Sequence, residues 1–148
     1  MSTKPEQDAP EVTALVTASE PIRSAEEYDR DWIEALWKKC GVFGNFHWPW
    51  SAYMDKWKGQ WRVVPGGGFA RWRHYKGKTT LYDIAVDPSC RRMGIASRLI
   101  EEMPAPIVLK TDADNTAAQA FYERLGFRCM GTTKTKKGKE QIEYAKLS

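Results

Sequence analysis

Long apolar runs are missing from this 148-residue chain. No stretch approaches the roughly 18 apolar residues that a membrane-crossing helix needs. The opening MSTKPEQDAP has no apolar signal-peptide region, so the expectation is a cytoplasmic protein with no membrane partner. Cysteine is scarce as well. Cys40, Cys90 and Cys129 are odd in number and lack metal-type spacing, which argues against a disulfide framework and a zinc site and leaves free thiols. No metal is expected. Excess charge is small: a net +4 suits an anionic ligand or partner but does not by itself argue for nucleic acid. Internal repeats are absent.

What the chain has in plenty is aromatic surface. Seven Trp, six Tyr and five Phe are present, with the Trp concentrated before position 73, so the two halves of the chain are expected to do different jobs. With 42% hydrophobic residues the length fits one domain with a proper core, residues 1–148, of which the polar residues 1–10 read as a mobile tail. EVTALVTAS (11–19) reads as a first strand. Ser24 with Glu27 forms a capping-box pattern, and Trp32, Ile33, Leu36, Trp37 and Cys40 then recur at helical spacing, predicting a helix over about 25–40. GVFGNFHWPW (41–50) reads as an ordered loop leading to a short helical piece near 51–58.

QWRVV, PGGG and FARWRHY are strand, turn and strand, and TTLYDIAV (79–86) is a mostly apolar and therefore central strand. A helix over 94–103, a strand in APIVLKT (105–111), and a helix capped by Asp114 or Asn115 and stopped at Gly126 follow. FRCMGTTKT and EQIEYAKL close the chain as a hairpin around KKGK. Strand, helix, strand in this order requires a parallel strand pair within an otherwise antiparallel sheet. The fold class is α/β, or α+β by stricter bookkeeping.

The stretch DPSCRRMGIASRLIEEM (87–103) runs from a loop of small and basic residues into an amphipathic helix. Such a junction presents free backbone N–H groups to an anion. Gly94 allows close backbone approach, Ala96 keeps the next turn slim, and Arg91 with Arg92 supplies charge-assisted contacts, so pyrophosphate is the candidate ligand. Neither a nucleotide P-loop nor a dinucleotide fingerprint fits. No Lys-Ser/Thr follows Gly94, and the triple glycine 66–68 precedes a strand instead of following one.

A third pattern does fit. Val86, Pro88, Arg91, Gly94 and Ala96 match V-x-P-x-x-R-x-x-G-x-[GA], and NTAAQAFYERLGF supplies Asn115, Ala118, Phe121, Tyr122, Gly126 and Phe127 at the right distance. On these motifs, spanning 79–128, the sequence resembles the GNAT superfamily of acetyl-CoA-dependent N-acetyltransferases. TLYDIAVDP is similar to the bacterial ribosomal-protein N-terminal acetyltransferase type. The resemblance implies a mainly antiparallel sheet with a central parallel pair splayed to hold acetyl-CoA, and helices on both faces. It implies that backbone groups of Ile84, Ala85 and Val86 hold the pantetheine, and that Arg91, Arg92, Met93, Gly94, Ile95, Ala96 and Ser97 hold the pyrophosphate. Asn115, Ala118 and Phe121 complete the cofactor set, and a bulge in the strand would free an N–H for the thioester oxygen.

The resemblance implies Tyr122 as general acid for the departing thiolate, since a phenol with a pKa of about 10 keeps its proton at neutral pH. The plain alternative is an ordinary aromatic of an amphipathic helix. A lysine-like amine is neutral about once in 2,500 molecules at pH 7, a cost near 4.6 kcal/mol that a base or a dry site must help recover. Asp83, on the strand leading into the loop, is the candidate base; the alternative is a structural acid paired with Arg or Lys. His47 and His74 are reserves. Phe46, His47, Trp48 and Trp50 are the candidate wall of the acceptor site, or else core. Two departures from the family stand out: Arg92 replaces a usual Gly, and Lys110 stands where many protein N-terminal acetyltransferases carry Glu. The acceptor is thus a primary amine of a small molecule or protein, taken by a monomer or homodimer. A nucleic-acid-borne amine held by Arg71, Arg73 and the hairpin lysines, or a non-catalytic CoA-binding module, are the alternatives.

Overall fold

The computed structural model of the chain describes residues 21–40 and 61–148. The expected tail, the strand at 11–19 and the loop and helical piece at 41–58 lie outside them. Seven strands form one sheet: β1 (Arg23–Ser24), β2 (Trp61–Val64), β3 (Gly68–Tyr75), β4 (Lys78–Val86), β5 (Ile107–Asp112), β6 (Arg128–Lys134) and β7 (Glu140–Lys146). Their spatial order is β1-β2-β3-β4-β5-β7-β6. The expected parallel pair is β4 with β5, while β1–β2, β2–β3, β5–β7 and β6–β7 are antiparallel. Three α-helices accompany the strands among the described residues: α1 (Arg30–Cys40), α2 (Ile95–Glu101) and α3 (Thr116–Arg124). The chain divides into two compact units, with β3 and β4 contributing to both.

The first unit holds described residues 21–40, 61–71 and 83–102. The apolar stripe of α1 folds as its spacing dictates: Ile33, Leu36 and Trp37 are buried in one cluster with Trp61, Val63, Phe69 and Ala85, and Trp32 and Cys40 pack on its margin. The Trp37 and Trp61 rings lie 6.3 Å apart and Trp61 and Phe69 5.8 Å apart. Ile33 is wholly buried, so truncating it to Ala would cost about 2–5 kcal/mol.

The start of α1 differs from expectation. Ser24 is not its cap. Ser24 lies in β1, and its hydroxyl accepts a hydrogen bond from Arg62 Nη1 at 3.0 Å. A short 3-10 turn, Glu27–Asp29, precedes the helix, and it is Asp29 that reaches back to accept the Glu26 N–H at 2.7 Å. The same carboxylate receives Arg23 Nη1 and Nη2 at 2.8 and 2.9 Å and Trp32 Nε1 at 2.8 Å. Burial pushes its pKa up, but these donors more than offset that and hold it below the usual carboxylate range.

The second unit holds residues 72–82 and 103–148. Here β5 lies between β4 and β7: Thr79 and Thr80 pair with Ile107 and Val108 in parallel, and six residues from Ile107 to Asp112 pair with β7. The Thr79 hydroxyl, wholly buried, donates to the Pro104 carbonyl at 2.6 Å, so its polarity is satisfied. The closing hairpin appears where predicted, and a register shift interrupts β6 between Cys129 and Gly131.

Candidate active site

The end of β4 and the junction after it are built from local chemistry. Ile84, Ala85 and Val86 are all buried at the end of the strand. Asp87 then accepts the Ser89 N–H at 3.0 Å and its hydroxyl at 2.7 Å, folding Pro88–Cys90 into a 3-10 turn. Lys39 from the last turn of α1 pairs with Asp87 at 3.4 Å. Cys40, next to it, donates to the Val86 carbonyl and accepts from Arg91 Nη2, each at 3.8 Å. The end of α1 is thereby seated on the loop, an arrangement that no sequence pattern signals because its partners lie 46 or more residues apart.

Arg91, Arg92, Met93 and Gly94 are exposed, whereas Ile95 is buried and anchors the first turn of α2; Ala96 is half-buried and Ser97 exposed. Gly94 sits at φ +75°, in the left-handed region, as the N-cap of α2. Arg92 is there too, at φ +71°. Where a glycine would take that conformation freely, an arginine bears a strain of about 1–2 kcal/mol. The departure at Arg92 therefore adds a cation at the cost of backbone ease.

One residue of this region escaped the sequence reading. A Cβ on Gly68 would stand 2.8 Å from the Ala85 carbonyl oxygen and 3.0 Å from Ile95 Cγ2, so only glycine lets β3 lie this close to the end of β4 and the start of α2. The signal was present in the triple glycine, of which the turn accounts for only part. Asp83, 7% exposed, accepts a hydrogen bond from Arg71 Nε at 2.7 Å, and Arg71 also lies over the Trp61 ring at 5.7 Å. Burial pushes the Asp83 carboxyl up to about 6, with Arg71 pulling it partway back.

Asn115 immediately precedes α3, and Ala118, Phe121 and Tyr122 lie on it, all in the second unit. Of the two candidate caps, Asn115 is the cap: its Oδ1 accepts the Ala118 N–H at 3.1 Å. Asp114 instead lies 3.8 Å from Lys139. Tyr122 is half-buried, with its ring 5.4 Å from Phe121, 5.8 Å from Phe127 and 6.4 Å from Tyr144. Lys110 is exposed on β5, directly across from Glu143 of β7. His74 meets the Thr79 hydroxyl at 3.0 Å. Phe46, His47, Trp48 and Trp50 lie outside the described residues.

Strand, turn and helix over 84–101, with two left-handed residues in the exposed loop, define a recognisable class of fold. Comparison with known proteins gives that class its name. The family model for the acetyltransferase (GNAT) domain matches residues 50–129, over half of the chain. The chain belongs to the GNAT acetyltransferase family. The [ribosomal protein bS18]-alanine N-acetyltransferase of Escherichia coli strain K12 is 40% identical over 58 residues, covering 34% of this chain and 39% of that protein. The chain thus matches about two fifths of the length of that curated relative. Among solved structures, the ribosomal-protein-S18-alanine N-acetyltransferase from Escherichia coli superposes with a TM-score of 0.60 at 25% identity, covering 86% of this chain and 92% of that one. The NatB acetyltransferase complex bound to CoA and MES gives 0.64 at 18% identity, covering 86% and 98%, a likeness of fold alone.

Proposed function

We propose that the protein is an N-acetyltransferase that moves the acetyl group of acetyl-CoA to a primary amine of a small molecule or a protein. The observation that carries this reading is the exposed loop Arg91–Gly94 between a buried strand end and α2, with Gly94 left-handed and nothing standing within 4 Å of where its Cβ would be. That open backbone, flanked by two arginines, fits a pyrophosphate. Arg91 and Arg92 hold the phosphates, the backbone of Ile95 to Ser97 completes the grip, and Ile84 to Val86 offer main-chain groups to the pantetheine. Acetyl-CoA supplies an acyl group activated as a thioester. Asn115 and Ala118 fix the start of α3, whose Phe121 borders the cofactor. Tyr122 gives its proton to the departing sulfur. Asp83 takes the proton of the attacking amine.

The likeness to an alanine N-acetyltransferase supports an N-terminal amine as acceptor, with the aromatic segment Phe46, His47, Trp48 and Trp50 walling its side. Lys110 speaks for a smaller or differently charged acceptor. The nucleic-acid alternative loses support at both arginines it would use: Arg71 is paired with Asp83, and Arg73 is stacked 4.9 Å over Tyr75.

The reading is tested by incubating the protein with acetyl-CoA and pools of peptide and small amines and measuring free CoA. The parent should release CoA with at least one pool. Gly94→Trp, which fills the open backbone, should weaken CoA binding by about tenfold or more in calorimetry. Undiminished affinity would remove the loop from the cofactor site.

A further inference from the structure

Beside Tyr122 on α3 stands Glu123, an exposed glutamate whose carboxylate is not left to water. Its Oε2 accepts a hydrogen bond, 2.9 Å long, from the hydroxyl of Tyr144. Tyr144 is 1% exposed and stands in the middle strand of three, opposite Leu109 on β5 and Cys129 on β6. A side chain so placed has one position available to it, because strands on both sides fix its backbone and packing fixes its ring. The short helix α3 is held more lightly: none of its nine residues is fully buried, and Gln119 Nε2 ties its middle to the Asp112 and Ala113 carbonyls at 3.2 and 2.8 Å, leaving its last turn to other contacts. Residues 122 and 123 are consecutive in that helix, so fixing one sets the roll of the other about the axis.

We propose that Tyr144 is the positioning residue for Tyr122: its hydroxyl, bound to Glu123, sets the roll of the last turn of α3, while its ring and that of Phe127 flank the Tyr122 ring. The inference rests on the reading of Tyr122 as the acid. The Phe121 ring, 5.4 Å away at 65°, and three further contacts define the phenol's place. The Tyr144 ring lies 6.4 Å from it at 42°, the Phe127 ring 5.8 Å from it at 68°, and the Phe127 N–H donates to the Tyr122 carbonyl at 3.1 Å. The two rings restrict Tyr122 laterally, and the Tyr144–Glu123 hydrogen bond resists rotation of the helix that would swing the phenol away. The donor is dependable: burial, then the neighbouring Glu123, push the Tyr144 hydroxyl up to about 12, so it keeps its proton throughout the working range.

The experiment is a double-mutant cycle on acetyl transfer, with thermal melting of each variant. Tyr144→Phe keeps the ring and removes the hydrogen bond, and Glu123→Ala removes it from the other side. Each should lower kcat about five- to twentyfold while leaving the KM for acetyl-CoA within about twofold of the parent. Tyr122→Phe alone should lower kcat by about ten- to a thousandfold, and adding Tyr144→Phe to it should lower kcat little further, because there is no longer a proton to aim. Effects that multiply independently, or a parental kcat in Tyr144→Phe, would overturn the positioning role while leaving the acetyltransferase reading intact. A parent protein that binds CoA and transfers no acetyl group to any amine would overturn both.

Discussion

Asp29 before α1 and Asp83 in β4 are both buried, at 2% and 7% exposure, and both face an arginine, yet their carboxyls are displaced in opposite directions. In each, loss of water is the largest influence and raises the pKa. Two things differ: Asp83 is enclosed by far more protein than Asp29, and Asp29 has more donors. Asp29 receives a two-pronged arginine, a main-chain N–H and an indole N–H. Asp83, among the described residues, receives one hydrogen bond, from Arg71 Nε. At Asp83 one charged neighbour does not offset the loss of water, whereas at Asp29 a full complement of hydrogen bonds offsets a smaller one. The first arrangement joins β1 to α1. The second leaves a carboxyl at about 6, close enough to neutrality to take or give a proton in the working range.

The harshest way to break the comparison is Asp29→Ala, which leaves an indole N–H and a main-chain N–H without their acceptor and takes the ion-pair partner from Arg23, whose Nη1 keeps the Ser24 carbonyl at 3.0 Å. Urea denaturation should show a loss of about 3–5 kcal/mol, more than Asp83→Ala costs. Equal losses would mean that the extra donors contribute nothing.

Next in size is a difference of sign with pH. The Asp29 pKa is lowered on folding, so its contribution is complete above the unfolded value near 3.8 and fades as pH falls through the lower folded value. Asp83 is raised to about 6, so the folded state binds its proton more readily than the unfolded state does. Its ionisation costs about 2–3 kcal/mol above that pH, and acidification from 7 towards 4 recovers it. Denaturation at pH 7 and pH 5 should show the parent gaining stability relative to Asp83→Asn as pH falls. A difference that does not change with pH would rule out the raised carboxyl. In the same variant, a fall in kcat with the fold retained marks Asp83 as the base, whereas a loss of stability alone marks it as a pin between β3 and β4.

The smallest effect sharpens the comparison one donor at a time. Trp32→Phe removes a single hydrogen bond from Asp29 and should cost about 1–2 kcal/mol, with the acid limb of the stability profile moving to higher pH. An unmoved acid limb would show that the indole is a bystander.

Most of the fold was legible because it is periodic. The α1 stripe, the alternating strands and the glycine-bearing turns each write their structure within a few neighbouring residues. The loop at 87–97 was legible for the same reason. The cap of α1 was not: Ser24 has the right chemistry at the right spacing, but Arg62, 38 residues away, claims its hydroxyl. Asp29 sits at regular three-residue spacing from its partners at 23, 26 and 32, but Ser24 with Glu27 offers a competing capping pattern beside it, and Tyr144 reads as one more alternating strand residue until α3 is seen to set Glu123 on its hydroxyl. Gly68 looked like turn chemistry, though its necessity comes from a strand and a helix far along the chain. Local rules reach local partners, and Thr79, Asp83 and Tyr144 are satisfied by residues 12 to 25 positions away.

The absence of any buried residue in α3 has a consequence for time as well as place. A helix that removes so little surface from water when it docks can open locally at a small fraction of the free energy needed to unfold the core, so its main-chain hydrogens should exchange with solvent well before those of β2, where Trp61, Val63 and Val64 are sealed. The Asn115 cap, the Gln119 hydrogen bonds to Asp112 and Ala113, the rings around Tyr122 and the Tyr144–Glu123 tie oppose that opening. The lifetime of the ordered helix then sets how long the Tyr122 phenol stays in one place.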